Sequence, residues 1–193
     1  MPCLAMHLAI AKEYLKKHPE ENKGEFILGT IAPDVNIPNI NNYINGITED
    51  KNGHHFGENY NTNDAIEYMK KKVNFQKFLN DNNINTSFLR AYFLHLISDY
   101  LFFGEYITRK DIENLSFVEI RDKGYADYNR ITPKIIEKYN LEIPEGIKDI
   151  VSGVSDGKLE IINEEQVYRF INEMAQIDIQ QFKNTILNKK KER

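Results

Sequence analysis

Apolar residues recur at helical spacing along most of the chain. Leu4, Leu8, Ala11 and Leu15 form one stripe, with Lys12, Glu13, Lys16 and Lys17 opposite, which predicts an amphipathic helix ending near His18-Pro19. A polar stretch then leads into the apolar residues 26–31. Ala32-Pro33-Asp34 interrupts any regular element there, because proline lacks an amide donor and restricts its predecessor. Asp34 is therefore expected on a turn beside a buried segment. Residues 36–60, rich in Asn and Gly with Pro38, read as a long irregular loop, and loops of that length inside a compact domain are often functional.

Helical order returns over residues 61–79, with Ala65, Ile66, Met69 and Val73 on one stripe, until Asn80-Asp81-Asn82-Asn83 stops it. Thr86 or Ser87 suits the cap of a helix whose Phe88, Leu89, Ala91, Tyr92, Phe93, Leu94, Leu96 and Ile97 are apolar nearly all round. Such a helix belongs in the middle of the molecule. The pattern weakens after Phe103-Gly104. It predicts a helix over 109–128, a separate short helix from Thr132-Pro133 to Tyr139, and a further helical turn from Ile143-Pro144 through Val151. Asn163 and Gln166 resemble a capping box for a last helix striped by Val167, Phe170, Ile171 and Met174, and the Lys-rich tail 189–193 is expected to be frayed. The expectation is an all-α chain with residues 1–193 forming a single multi-helix domain.

Composition narrows the function. With 193 residues, 41% hydrophobic and 28% charged, the chain is long enough for a real core. Its 25 basic and 29 acidic side chains give a net charge of −4, so there is no strong nucleic-acid signal. Cys3 stands alone, which excludes an internal disulfide and the usual multi-thiolate zinc sites. No signal-peptide pattern opens the chain and no apolar run is long enough for a transmembrane segment, so a cytoplasmic location is expected.

Candidate chemistry concentrates in His95-Leu96-Ile97-Ser98-Asp99. Residues four apart share a helix face, so the imidazole and carboxylate can converge on one point, and they do so on the most apolar helix of the chain. A buried carboxylate is costly unless paired or bound to a cation; His-Asp is a natural divalent-metal pair and equally a plain core hydrogen bond. His7 lies with Leu4, Ala11 and Tyr14 on the inner side of the first helix, where a lone histidine is more often core than ligand. His54-His55 sits in the polar loop, where paired histidines can be exposed and inert, and adjacent side chains diverge, so at most one of the two is expected in a given site. Asp34 is a candidate ligand and equally a candidate turn cap.

The order His7, Asp34, His55, His95, Asp99 resembles the zinc-dependent phospholipase C family. The matching motifs are the start from Pro2 to His7, Gly29-Thr30-Ile31-Ala32-Pro33-Asp34, His55-Phe56-Gly57 and Leu94-His95-Leu96-Ile97-Ser98-Asp99, with a weaker Asp127-Tyr128-Asn129 similarity later. The resemblance implies the helical fold of phospholipase C and single-strand nucleases. It also implies one metal site from Asp34, His55, His95 and Asp99, and a second metal held by His7 with Asp99 shared. His95 is the last histidine, so the later ligands of the secreted enzymes are missing and the implied centre is reduced to one or two ions. Zinc is the implied metal, and manganese or iron also suits such donors.

The expected activity is hydrolysis of a phosphoester, lipid or small and soluble, by metal-activated water. Asp34 is the candidate catalytic residue, and His54, Glu58 and Asp127 are candidate auxiliaries for proton transfer. The alternative is a non-catalytic helical protein with a structural or sensing metal site. An HD-type phosphohydrolase fits less well because no His-Asp pair is adjacent.

Overall fold

The computed structural model describes residues 2–35, 37–45, 53–57, 62–154 and 156–191. Among them are eight α-helices and no strand. They are α1 Leu4–Lys17, α2 Lys23–Ile31, α3 Ala65–Lys71, α4 Phe75–Asp81, α5 Ser87–Leu101, α6 Phe117–Tyr139, α7 Glu164–Met174 and α8 Ile179–Lys191. None of these helices is long and apolar enough to cross a membrane.

The centre is α5. Thr86 caps it by accepting from the Leu89 amide at 3.2 Å, and every residue from 87 to 99 except Arg90 is buried. Helices α1, α2, α3 and α8 all pack against it. That explains why its apolar residues face every direction, since each of those neighbours removes a different face from water. Each fully buried Leu, Ile or Phe contributes roughly 1.5–3 kcal/mol, which ties the chain to this one helix. The approach of α2 is unusually close. A Cβ on Gly29 would meet the Phe88 carbonyl oxygen at 2.2 Å, so only glycine lets the two backbones touch.

Several boundaries differ from the sequence expectation. The single helix expected over 61–79 is two helices, α3 and α4, parted at Lys72-Val73-Asn74. Asn74 accepts from the Lys77 amide at 2.9 Å and starts α4, while Val73 bridges to Phe56. The region 109–139 departs further. The segment after residue 109 is turn, and α6 begins at a full capping box of Ser116 and Glu119, then runs without a break through Pro133. Proline withdraws the amide that would bond the Asn129 carbonyl; here that carbonyl accepts instead from Val154 N at 3.0 Å. A partner distant in sequence thus removes the main penalty that made Pro133 look like a helix start.

Residues 143–151 form only a short helical turn, Glu145–Ile147, followed by turns. At the carboxyl-terminal end α7 is followed by α8, which the polar tail concealed; its Phe182 packs edge-on against Phe75 and Phe93 at 5.3 and 6.1 Å. The described parts of the stretch 36–60 contain two short helical turns, Ile40–Asn42 and Gly53–His55; residues 36, 46–52 and 58–60 lie outside the described residues.

Candidate metal centre

Five side chains from four parts of the chain meet beside the middle of α5. His95 and Asp99 come from α5 itself, His7 from α1, Asp34 from the turn closing α2, and His55 from the short helical turn before Phe56. His7, His95 and Asp99 are at most 1% exposed, His55 is 8% exposed, and the Asp34 side chain retains 13%.

Local devices position three of these side chains, Asp34, His95 and His55. At the end of α2, the Asp34 amide bonds the Ile31 carbonyl at 3.0 Å rather than that of Thr30. The Thr30 carbonyl is left for His95 Nδ1, which donates to it at 2.7 Å. This fixes the tautomer, because a carbonyl can only accept, and it leaves the His95 Nε2 lone pair facing the centre.

His55 depends on a short antiparallel clasp. Asn74 N donates to His55 O at 3.2 Å and Gly57 N to Lys72 O at 2.9 Å. Between them Phe56 adopts φ 64°, a left-handed conformation that is costly for an aromatic residue. Its ring is held edge-on against Phe78 and Tyr92 at 5.1 and 6.1 Å, which offsets that cost. A Cβ on Gly57 would lie 2.1 Å from the Lys72 carbonyl oxygen, so the clasp closes only on glycine. Tyr92, buried in α5, donates its hydroxyl to the His54 carbonyl at 2.5 Å.

The donor atoms divide into two sets. Asp99 Oδ2 lies 3.0 Å from His55 Nε2 and 3.3 Å from His95 Nε2, and Asp34 Oδ1 lies 3.6 and 3.9 Å from the same nitrogens. The other oxygen of each carboxylate faces His7 Nε2, Asp99 Oδ1 at 3.3 Å and Asp34 Oδ2 at 3.8 Å. These are short separations, yet His7 Nε2 and both Asp99 oxygens receive no hydrogen bond of acceptable direction. His55 Nε2 and His95 Nε2 meet each other at 3.3 Å, but those three atoms are directed at no partner. Donors about 2.0–2.1 Å from a tetrahedral zinc sit about 3.3–3.4 Å apart, and the observed spacings bracket that value.

Electrostatics agree with the geometry. Burial would raise the Asp99 carboxyl, but His95, with His55 and His7, holds it well below its ordinary 3.8. Burial opposes charge on His95, and the carboxylates of Asp99 and Asp34 overcome it, so its imidazolium persists above 6.5. Burial, with His95 stacked at 3.8 Å, pushes His7 down. Three imidazoles and two carboxylates, with His7 Nε2 and both Asp99 oxygens buried and unpartnered, suit a divalent cation, whereas a plain hydrogen-bonded core pair would leave none.

Asp34 also lines a cavity of about 550 Å³ whose walls include Tyr68, Phe117, Tyr125 and Tyr128, with Lys72 and Arg121 as its cations. It is the one residue of the five on that wall. A second cleft of about 600 Å³, lined by Lys70, Lys71, Arg109 and Lys110, touches none of the five.

The remaining candidates stand apart from this cluster. His54 is half-buried with its Nδ1 unpartnered, and it supplies the carbonyl that Tyr92 grips. Asp127 is fully buried but committed elsewhere: its carboxylate accepts from the amides of Glu160, Ile161 and Ile162 at 2.7–3.0 Å and from Arg130 at 3.2 Å. It anchors the segment before α7. Glu58 lies outside the described residues. His18 stacks on Tyr14 at 4.2 Å, and Cys3, its thiol pushed up by burial, contacts Thr132 Oγ1 at 3.7 Å.

The sequence did not single out Thr30, Ser98, Tyr92 or the cavity residues Tyr68, Lys72, Phe117, Arg121 and Tyr125. Thr30 and Ser98 lie within the quoted motifs, but their roles depend on which helices pack together. No family model, curated protein or solved structure matches the chain.

Proposed function

We propose that the protein is a metal-dependent phosphoester hydrolase, of the phospholipase C and single-strand nuclease type, with a reduced centre of one or two zinc ions. The observation that carries this reading is the convergence of His7, Asp34, His55, His95 and Asp99, with His7 Nε2 and both Asp99 oxygens unpartnered, beside a cavity that Asp34 alone of the five lines. The division of donors supports two positions, one served by His55 and His95, the other by His7, with each carboxylate offering one oxygen to each. A divalent ion there supplies a lowered water pKa and positive charge for phosphoryl oxygens.

The chain's own residues do the rest. With one metal position filled, the Asp34 oxygen that does not face it, on the more open of the two carboxylates, would orient the attacking water and take its proton. Lys72 and Arg121 offset phosphoryl charge as the substrate enters. With only these two cations and several aromatic rings on the wall, the cavity suits a phosphoester with an apolar or aromatic group, lipid or soluble, better than a polyanion.

Elemental analysis of the purified protein, followed by a phosphomonoester and phosphodiester panel with each metal restored, tests the proposal. Bound metal with turnover that disappears in Asp99→Asn is the expected result; a protein that takes up no divalent metal would overturn it. The near-complete burial of four of the five ligands favours a second reading, a structural or sensing metal site. Its mark would be stoichiometric metal, unfolding on chelation, and no turnover of any substrate.

A further inference from the structure

Ser98 precedes Asp99 in the fully buried face of α5 and belongs to none of the donor sets. Its hydroxyl lies 2.8 Å from the His95 carbonyl, one turn back on the same helix, and 3.3 Å from His7 Nδ1 on α1. A hydroxyl has one proton. The carbonyl can only accept and is the nearer partner by 0.5 Å, so the Ser98 proton goes to His95 O, and Ser98 Oγ is left as an acceptor. His7 Nδ1 must then carry the proton that donates to it.

The consequence is felt on the far side of the ring. With Nδ1 protonated, neutral His7 presents a bare lone pair at Nε2. That nitrogen is buried, lies 3.3 Å from Asp99 Oδ1 and 3.8 Å from Asp34 Oδ2, and has no hydrogen-bond partner. A proton on Nε2 would be stranded without a well-directed acceptor.

We infer that Ser98 is a positioning residue that fixes the tautomer of His7 and thereby makes the second, His7-served cation position competent to bind. It does for His7 what the Thr30 carbonyl does for His95, but from the helix that carries His95 and Asp99. One hydroxyl therefore ties His7, on α1, to the helix that carries His95 and Asp99, and partners of this kind commonly govern metal affinity. The inference deepens the proposed function, since it assumes that the cluster binds divalent cations.

Long-range ¹H–¹⁵N correlation of the imidazoles in the metal-free wild-type protein reads the tautomer directly. His7 is expected with Nδ1 protonated; an Nε2-protonated His7 would overturn the inference without any variant having to fold. Zinc titration of wild type and Ser98→Ala provides the second arm. The variant is expected to keep the tighter binding event within about threefold and to weaken the other by about 10–100-fold. His7→Ala should weaken the same event, and Ser98→Ala in that background should add little. Ser98→Ala binding both ions as wild type does, or losing both together, would overturn the role. Wild type that binds no zinc would instead sink the hydrolase reading, while the tautomer measurement would still decide what Ser98 does to His7.

Discussion

At the scale of single residues, the central fact is that Asp99 is almost fully buried yet its oxygens are aimed at gaps between imidazoles. An isolated carboxylate in that position would cost several kcal/mol, so the site is built to hold positive charge. Asp99→Asn and His95→Ala are each expected to lower zinc affinity by more than about 100-fold and to abolish any metal-dependent turnover, measured by elemental analysis and assay on the same sample. The pH dependence of zinc binding follows from the direction of the shifts. Histidine must be deprotonated to bind a metal, and His95 holds its proton to above 6.5 in the metal-free protein, so protons compete there first. His7, pushed down by burial, competes only below 6.5. Zinc affinity should therefore fall on acidification from about pH 8 to about pH 6, with proton release on binding detectable by calorimetry in two buffers. In the metal-free protein the contributions to stability separate. That of His95 is present below 6.5 and is lost as pH rises through its folded value. That of Asp99 is present above 3.8 and is lost as pH falls through its folded value.

At the scale of elements, short junctions matter more than the helices they join. The clasp of residues 55–57 on 72–74 places His55, and it closes only because position 57 has no Cβ. Gly57→Ala is expected to cost about 1–3 kcal/mol in chemical denaturation and also to weaken zinc binding, because the misplaced backbone carries the ligand. Asp127 gives the opposite pattern. Asp127→Asn preserves shape but places an amide among three backbone donors, so about 1–3 kcal/mol of stability is lost. Zinc stoichiometry and turnover per folded molecule should be unchanged. A selective loss of turnover in this variant would instead restore Asp127 as a proton-transfer group.

At the scale of the whole molecule, the candidate ligands from α1, the α2 turn, the His55 clasp and α5 come together only when those parts are docked, so the proposed metal binding would be linked to folding. Zinc at about 100 times its dissociation constant is expected to add about 2.7 kcal/mol and to raise the melting temperature by about 5–10 °C, with a chelator reversing the gain in a thermal scan. What the sequence determined by itself was local. The 3.6-residue repeat made the chain helical, the unbroken apolarity of α5 put that helix at the centre, and the four-residue spacing put His95 and Asp99 on one face. The resemblance in motif order assembled the other three candidate ligands, but no periodicity could, because α3, α4 and most of α5 separate His55 from Asp99, and α2 and a long stretch besides separate His7. Only the tertiary structure decided that a distant amide from Val154 would satisfy the Asn129 carbonyl and carry α6 through Pro133. It alone set Thr30 and Ser98 behind the two imidazoles and opened a cavity at Asp34 rather than at the other ligands. The reason is physical: helix formation is governed by neighbours a few residues apart, whereas tautomers, satisfied carbonyls and cavities depend on which surfaces meet when the helices pack.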